Sequence, residues 1–411
     1  MFSTRTVALK RVPPCIEVPP MRQTLPRPPA TPLSSRREAL GRLATLAGAS
    51  ALPLVLSACA GSPNGPAAAP PATAEALAAF PLSPTGTDTG ADPRVHQQVQ
   101  ALGRGINFGN IFDAPREGDW GLRADDEFID LVGTGTFTRS VRLPVRWSNH
   151  ASPDASARID PAYMARVERT VDRLLARGAS VLLNIHHYRQ LDGDPLDAGE
   201  TAVDPTVVDV RFLALWQQIA ERFANRSPAL MFEIYNEPHG RLEPLWNDLL
   251  SRALRVIRQR NPERIVFAGP TEWNSANALP RLVLPPDRFL ALTVHHYEPF
   301  EFTHQGADWV SPAKPVGLGC CTAPQQALML RLLDLAAADA LRRQRPMLVG
   351  EFGAYSKAPL AARVAYLSFM RQAMEARQLP WMYWELASGF GLYDPATHQF
   401  RPELKAALFG A

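Results

Sequence analysis

From about residue 103 onward, short apolar runs alternate along the chain with longer amphipathic stretches. Eight runs rich in β-branched and aromatic residues predict strands: GINF (105–108), SVRLPVRW (140–147), SVLLNIHH (180–187), LMFEIYNE (230–237), RIVFAGP (264–270), LALTVHHY (290–297), MLVGEFGA (347–354) and WMYWELA (381–387). Segments with a helical apolar period lie between them, at 163–177, 212–223, 245–259, 325–340 and 361–378. This alternation predicts parallel strand pairing in an α/β protein.

Eight strands alternating with helices in a chain of this length predict a closed (β/α)₈ barrel, the TIM barrel. The structural rival is an open, doubly wound sheet. No Gly-rich GxGxxG turn follows an early strand, so the sequence gives that rival no support.

The first 93 residues differ in composition from the rest and hold 16 of the 39 prolines. Arg36 and Arg37 precede an apolar run at 43–58, which ends in Leu-Ser-Ala before Cys59. This order resembles a twin-arginine export signal ending in a lipoprotein box, with Cys59 as the lipid attachment residue; a plain secretory signal is the alternative. We expect an extension and signal at 1–58, a flexible Pro/Ala/Gly/Thr-rich linker at 59–93 and a barrel domain at 94–411.

That layout implies export, either to the cell envelope as an outer-membrane lipoprotein or into the medium, with membrane contact only through the lipid. A hydrophobic fraction of 46% and a charged fraction of 20% exclude wholesale disorder, collagen and coiled coil. The net charge of +3 falls to −3 when the six net positive charges of residues 1–58 are set aside, which argues against a nucleic-acid partner. Cys320 and Cys321 are adjacent, and either a bridge or two buried thiols is open.

Polar side chains gather at the C-terminal ends of the predicted strands, where barrel enzymes build their active sites. Ionisable groups are unfavourable in strands buried on both faces unless they are paired or functional. Glu237 ends the fourth strand and Glu351 the seventh. Two carboxylates across one mouth are what glycoside hydrolysis requires, and their separation decides between retention and inversion of the anomeric configuration.

Seven stretches in strand order carry a family resemblance: GINFGN (105–110), VRLPVRW (141–147 with its Arg142), NIHHY (184–188), EIYNEPHG (233–240), HHYEPFEFTHQGADW (295–309), GEFGAY (350–355) and YWELASGFGLYD (383–394). Together they resemble glycoside hydrolase family 5, and most of all its bacterial endo-β-1,4-glucanases. The resemblance runs from about Gly103 to near the C terminus. It implies a single barrel domain, no cofactor, and an endo-acting, retaining cleavage of β-1,4-linked polysaccharide such as cellulose, β-glucan, glucomannan or xyloglucan by a monomeric enzyme.

The resemblance also implies roles for individual residues. Glu237 corresponds to the acid/base and Glu351 to the nucleophile. Arg142 would hold Glu351 anionic, Tyr297 would donate to it, His295 would position Tyr297 or the acid/base, and Asn236 would bind the sugar 2-hydroxyl. The expected substrate-binding residues are Asn110, His186, His187, His304, Trp309, Trp384 and, by a narrow margin over a salt-bridge role, Glu385.

Several alternatives stay open at this stage. His186 and His187 are a candidate metal pair, but adjacent strand residues point to opposite faces and no third ligand is evident, so we expect no metal. Glu233 is expected in a buried network below Glu237. Trp120, Trp147 and Trp273 could pack in the core or stack on sugars. For the whole protein the alternatives are a β-mannanase or xyloglucanase of the same family, a non-catalytic carbohydrate-binding protein, and a metal hydrolase.

Overall fold

The computed structural model describes residues 90–198 and 200–410. The predicted export signal, Cys59 and all but the last four residues of the predicted linker lie outside the described residues.

The eight predicted strands form one closed parallel barrel in chain order, in which the first strand also pairs with the last. They are β1 (Arg104–Asn107), β2 (Ser140–Leu143), β3 (Ser180–Asn184), β4 (Leu230–Glu233), β5 (Val266–Ala268), β6 (Leu290–His295), β7 (Met347–Phe352) and β8 (Trp381–Tyr383). Both faces of these strands are covered, which is why continuous apolar runs marked them in the sequence. The predicted (β/α)₈ barrel is confirmed.

Eight α-helices of six or more residues occur between residues 90 and 410 as described: α1 (Pro93–Gln100), α2 (Asp126–Leu131), α3 (Pro161–Ala176), α4 (Val208–Arg222), α5 (Trp246–Arg258), α6 (Ala323–Arg343), α7 (Leu360–Ala376) and α8 (Pro402–Phe409). The five predicted helices correspond to α3 through α7. Helix α3 begins where the sequence indicates, because Asp160 caps the Tyr163 N–H and Pro161 occupies the first turn. Short helical turns cover Arg189–Asp192, Thr271–Asn274 and Phe300–Thr303, and a two-stranded antiparallel pair, β9 (Tyr393–Asp394) and β10 (Gln399–Phe400), precedes α8.

The inside of the barrel is apolar at its N-terminal end and polar at its C-terminal end. Helix α1 closes the apolar end by packing Val95 and Val99 against inward-facing strand residues. These partners include Leu182, Met231, Phe267, Leu348 and Met382. Two positions further along β3 and β4, Asn184 and Glu233 occupy the same inner face and hydrogen-bond each other. The alternation of the strands therefore places a polar layer directly under the C-terminal mouth.

The start of the folded body differs from the prediction. The backbone N–H groups of Ala91 and Asp92 bond to the carbonyls of Gln344 and Arg288, and α1 follows directly. Residues 91–93, which the prediction assigns to the linker, are therefore part of the folded body. The sequence pattern missed α1 because this eight-residue helix buries only two side chains.

Two further features complete the fold. Cys320 and Cys321 are joined in a disulfide, which is one of the two states left open above. Along the described residues, none of the helices combines the length and the apolar character that crossing a bilayer requires.

Candidate active site

A cleft of about 1120 Å³ opens at the C-terminal end of the barrel. Pockets for small molecules occupy roughly 300–1,000 Å³, so this cleft has room for an extended ligand. Ten of the predicted site residues line it: Asn110, His186, His187, Glu237, His295, Tyr297, His304, Trp309, Glu351 and Trp384. The structure thus brings together side chains from six of the eight strand ends.

Glu237 and Glu351 meet across this mouth. Glu351 lies within β7, and Glu237 follows the end of β4 by four residues in a left-handed backbone conformation (φ 51°). One carboxylate oxygen of each, together with a ring nitrogen of His295, lies within 4.8 Å of the others. Retaining glycosidases hold their carboxyl groups about 5–5.5 Å apart, whereas inverting ones leave about 6.5–9.5 Å for a water molecule. The geometry matches the shorter class.

Arg142 organises the polar layer beneath the cleft and is fully buried. Its guanidinium donates to Glu351 Oε1 (2.5 Å), Glu233 Oε2 (2.7 Å), Asn236 Oδ1 (2.7 Å) and Asn107 Oδ1 (2.9 Å). The planar fork therefore fixes the orientation of Glu351, as expected, and Glu233 lies in the predicted buried network. Because Arg142 occupies the oxygen of Asn236, the Asn236 amide nitrogen is the group left to donate elsewhere.

His295 contacts the Glu237 carboxyl group rather than Tyr297. Its Nδ1 lies 2.7 Å from Glu237 Oε1 and 3.6 Å from Glu351 Oε2, and the Asn274 amide nitrogen lies 3.3 Å from its Nε2. This arrangement makes Nε2 the acceptor and leaves the Nδ1–H to donate to Glu237. Tyr297 donates its phenol hydrogen to Glu351 Oε2 at 2.9 Å. Of the two roles considered for His295, the geometry selects contact with Glu237.

Burial sets the ionisation of these groups. It raises the pKa of Glu237 to about 7, against the opposing charge of Arg142, and it lowers the pKa of His295 to about 4. Burial also raises the pKa of Glu351, while His295, Arg142 and the Tyr297 hydroxyl act in the opposite direction. Glu351 receives direct hydrogen bonds from a guanidinium and a phenol, and Glu237 receives neither, so we infer that Glu351 ionises first.

His186 and His187 both reach the cleft because β3 ends at Asn184, before the strict alternation of a strand would separate them. The His186 ring stacks on Trp384 at 5.8 Å and 5°. The His187 ring packs edge-on against Trp120 at 5.9 Å. The two histidines therefore present a ring surface beside the Trp384 indole.

With Asp113, the two histidines place one potential ligand atom each within 4.8 Å of the others. Two of the three residues, Asp113 and His186, already have hydrogen-bond partners. The Asp113 carboxylate accepts the backbone N–H groups of Asn110 and Ile111, and His186 Nδ1 lies 3.2 Å from the Asn184 amide nitrogen. The geometry of this group is that of a hydrogen-bonded loop anchor.

The tryptophans near the strand ends divide into two groups. Trp309, Trp273 and Trp120 are 57%, 55% and 38% exposed and line the cleft. Trp147 is fully buried and donates its indole N–H to the Asn184 carbonyl, so it belongs to the core. Three exposed aromatic surfaces in one groove are unfavourable in water and suit the apolar faces of sugars.

Glu385 requires a correction, because it was expected to contact substrate. It is fully buried, and its carboxylate accepts the backbone N–H groups of Ala387, Ser388 and Phe390. Burial raises its pKa to about 7. Glu385 therefore organises the loop after β8, which reaches the cleft through Ser388 and Phe390, and the Asn110 amide donates to Ser388 at 2.9 Å.

Three asparagines of the site were not among the predicted residues: Asn107, Asn184 and Asn274. Asn107 and Asn184 stand within the GINFGN and NIHHY motifs and could have been found by counting alternate residues onto the inner face. Asn274 carries no such signal. It follows β5 in a turn whose backbone conformation no local pattern predicts.

Comparisons with known proteins identify the family of the chain. The family described as "Cellulase (glycosyl hydrolase family 5)" matches residues 102–389. Endoglucanase H of Acetivibrio thermocellus is 33% identical over 334 residues, which are 79% of this chain and 34% of that protein. The chain therefore spans about a third of the length of this relative.

Among solved structures, Cel5A of Thermotoga maritima in complex with cellobiose is 39% identical with a TM-score of 0.72, over 76% of this chain and 99% of that one. The same values hold for Cel5A in complex with mannotriose.

Proposed function

The chain belongs to the cellulase family, glycosyl hydrolase family 5, and on that premise we propose that it is an endo-acting β-1,4-glucanase that cleaves with retention of configuration. The observation that carries the proposal is the carboxylate pair. Oxygens of Glu237 and Glu351 lie within 4.8 Å of each other, and only Glu351 contacts a guanidinium. One group is thus suited to give up a proton and the other to attack.

In the first step the Glu351 carboxylate attacks the anomeric carbon while Glu237 donates its proton to the departing glycosidic oxygen. The carbon–oxygen bond to the leaving group breaks and a glycosyl ester forms on Glu351. In the second step Glu237, now a carboxylate, removes a proton from water, which attacks the same carbon and releases Glu351. The Asn236 amide nitrogen, which also interacts with the Glu237 carboxyl group, is the donor proposed for the sugar 2-hydroxyl.

Cleavage within a chain needs binding surfaces on more than one side of the reacting bond. The exposed tryptophans adjoin different parts of the site: Trp120 adjoins His187, Trp309 adjoins Tyr355, and Trp273 stacks on His239. This distribution supports contact with several sugar units and hence action at internal linkages.

Replacement of the nucleophile tests the mechanism. Glu351→Ala should reduce turnover of carboxymethylcellulose by several orders of magnitude, and added azide should partly restore the cleavage of an activated aryl cellobioside, with a glycosyl azide of the opposite anomeric configuration as product. Asp172→Ala, which removes a partly exposed carboxylate of α3 outside the cleft lining, serves as the control for loss of one acidic group. Full activity of Glu351→Ala would remove this residue from the mechanism.

β-Mannan is the second candidate substrate, because the chain is 39% identical to Cel5A of Thermotoga maritima, a structure of which is in complex with mannotriose. A reducing-sugar assay across cellulose, glucomannan, galactomannan and xyloglucan separates glucanase, mannanase and xyloglucanase activity. Absence of hydrolysis on every one of them would favour a carbohydrate-binding protein.

We also propose that the chain is exported as a lipoprotein through Cys59. The support is the order of paired arginines, apolar run and Leu-Ser-Ala-Cys at 56–59. Mass spectrometry of the mature N terminus tests it: a diacylglyceryl modification on Cys59 is expected, and an unmodified N terminus at another residue would contradict it.

A further inference from the structure

The acid/base residue sits in a backbone conformation that has to be held in place. Glu237 has φ 51°, in the left-handed region that disfavours any residue with a Cβ atom. Its carbonyl oxygen accepts a hydrogen bond from His239 Nδ1 at 2.6 Å. A residue in such a conformation persists only when its surroundings fix it, and they fix it here through the side chain two positions further along.

His239 is itself restrained from two other sides. Its Nε2 lies 3.2 Å from Asp194 Oδ2, and its ring stacks on Trp273 with centroids 4.6 Å apart. The next residue, Gly240, packs so closely that a Cβ atom would lie 2.6 Å from the Asp192 carbonyl. The segment carrying Glu237 therefore packs tightly against the Arg189–Asp192 turn.

An unusual turn after β5 contacts the other side of this segment. Glu272, Trp273 and Asn274 have φ values of 55°, 55° and 57°, three consecutive non-glycine residues in the left-handed region. Each such residue is unfavourable by about 1–2 kcal/mol, so a turn of this kind is retained only where its geometry is needed. The turn directs Trp273 onto His239, and its Asn274 amide nitrogen onto His295 Nε2.

These contacts hold the acid/base at two points, its carbonyl oxygen and its carboxyl group. His239 holds the Glu237 carbonyl, and His295 holds the Glu237 carboxyl group. Adjacent residues of the same turn, Trp273 and Asn274, orient the two histidines. We propose that His239, together with the turn at 272–274, positions Glu237 for proton transfer to the leaving group. His239 is thus a positioning residue, and the inference rests on the acid/base role proposed for Glu237.

The dependence of the rate on the leaving group distinguishes positioning of an acid from a general structural role. A 2,4-dinitrophenolate departs without protonation, whereas a sugar or 4-methylphenolate needs the acid. We expect His239→Phe, which keeps the stacking and removes the donor, to lower kcat/KM for cellotetraose and 4-methylphenyl cellobioside by about 10–100-fold. For 2,4-dinitrophenyl cellobioside we expect a loss of less than about threefold. His239→Gln, which restores an N–H donor, should recover part of the loss.

Rates are normalised to the number of sites that trap a 2-deoxy-2-fluoro cellobioside on Glu351, so that misfolded protein does not count. His150→Phe is the matched control, because His150 also stacks on an aromatic ring, Tyr163, at 3.5 Å but does not touch Glu237; we expect equal activity on all substrates. Asn274→Ala tests the contact through His295 to the Glu237 carboxyl group and should show the same selective loss. If neither His239 variant has trappable sites, the result for Asn274→Ala decides whether the inference stands.

Losses of equal size on activated and unactivated substrates, or no loss, in the His239 variants and in Asn274→Ala would overturn the inference. Failure of the wild-type protein to cleave any of these cellobiosides, or full activity of Glu351→Ala, would instead overturn the proposed function.

Discussion

Replacing Arg142 with lysine perturbs the group on which both the core network and the nucleophile depend. The guanidinium serves four acceptors from three nitrogens, whereas a lysine ammonium is one nitrogen with three hydrogens. Glu233 and Glu351 bind different nitrogens of the guanidinium, and because one ammonium nitrogen cannot occupy both positions, we expect one of the two carboxylates to lose its charged donor. Removing one partner of a buried ion pair costs about 3–5 kcal/mol, and because lysine keeps the positive charge we expect the free energy of unfolding to fall by about 2–4 kcal/mol.

The same change should alter the pH dependence of activity. Weaker stabilisation of the Glu351 anion raises its pKa further, and Glu351 must be ionised to attack. The acidic limb of kcat/KM for 2,4-dinitrophenyl cellobioside should therefore move to higher pH, with a loss of about 100-fold at the acidic end. Guanidinium unfolding followed by tryptophan fluorescence measures the stability, and initial rates between pH 4 and 8 measure the limb.

Arg264→Lys provides the matched control. Arg264 is also buried, but it donates to backbone carbonyls such as those of Phe223 and Leu230, away from the cleft. This variant should lose stability and keep the wild-type acidic limb. If Arg142→Lys unfolds within about 1 kcal/mol of the wild type and shows an unshifted limb, the reasoning about the buried network is refuted.

Four further outcomes are expected. Because the pKa of Glu237 is raised from 4.5 to about 7, its contribution to stability is present below pH 4.5 and lost as the pH rises through 7. The free energy of unfolding of Glu237→Gln, measured by thermal unfolding, should therefore equal that of the wild type near pH 4 and exceed it by up to about 3 kcal/mol at pH 8. An equal difference at both pH values would contradict this. Glu385→Ala leaves three backbone N–H groups without their acceptor and should destabilise the fold by about 2–4 kcal/mol in urea unfolding. A higher KM with unchanged stability would instead indicate that Glu385 contacts the substrate. Trp273→Ala should raise KM for cellohexaose by about tenfold and Trp120→Ala should do likewise, whereas unchanged KM values would exclude stacking at these rings. Dialysis against EDTA should leave activity unchanged, since the proposed chemistry uses two carboxylates, and a loss restored by a divalent cation would favour the metal-hydrolase alternative.

The order of strands and helices could be predicted because the signals are local. Runs such as LALTVHHY and the Asp160-Pro161 helix start act over a few residues and need no partner elsewhere. Helix α1 and the turn at 272–274 escaped prediction for the opposite reason. Helix α1 has eight residues and is stabilised by packing against the apolar end of the barrel. The turn at 272–274 adopts an unfavourable backbone conformation that contacts with the surrounding residues stabilise.

The residues that could do the chemistry were evident from residue type and order along the chain: two glutamates at strand ends, an arginine, histidines and tryptophans. The role of each one depends on its contacts in the folded protein. In the folded protein Arg142 hydrogen-bonds Glu351, 209 positions away, and His295 hydrogen-bonds Glu237. Glu385 is buried under a loop, and Trp273 is exposed. Residue type and spacing can be read from the sequence alone. The distances between strand ends depend on closure of the barrel, and those distances decide which side chains hydrogen-bond each other.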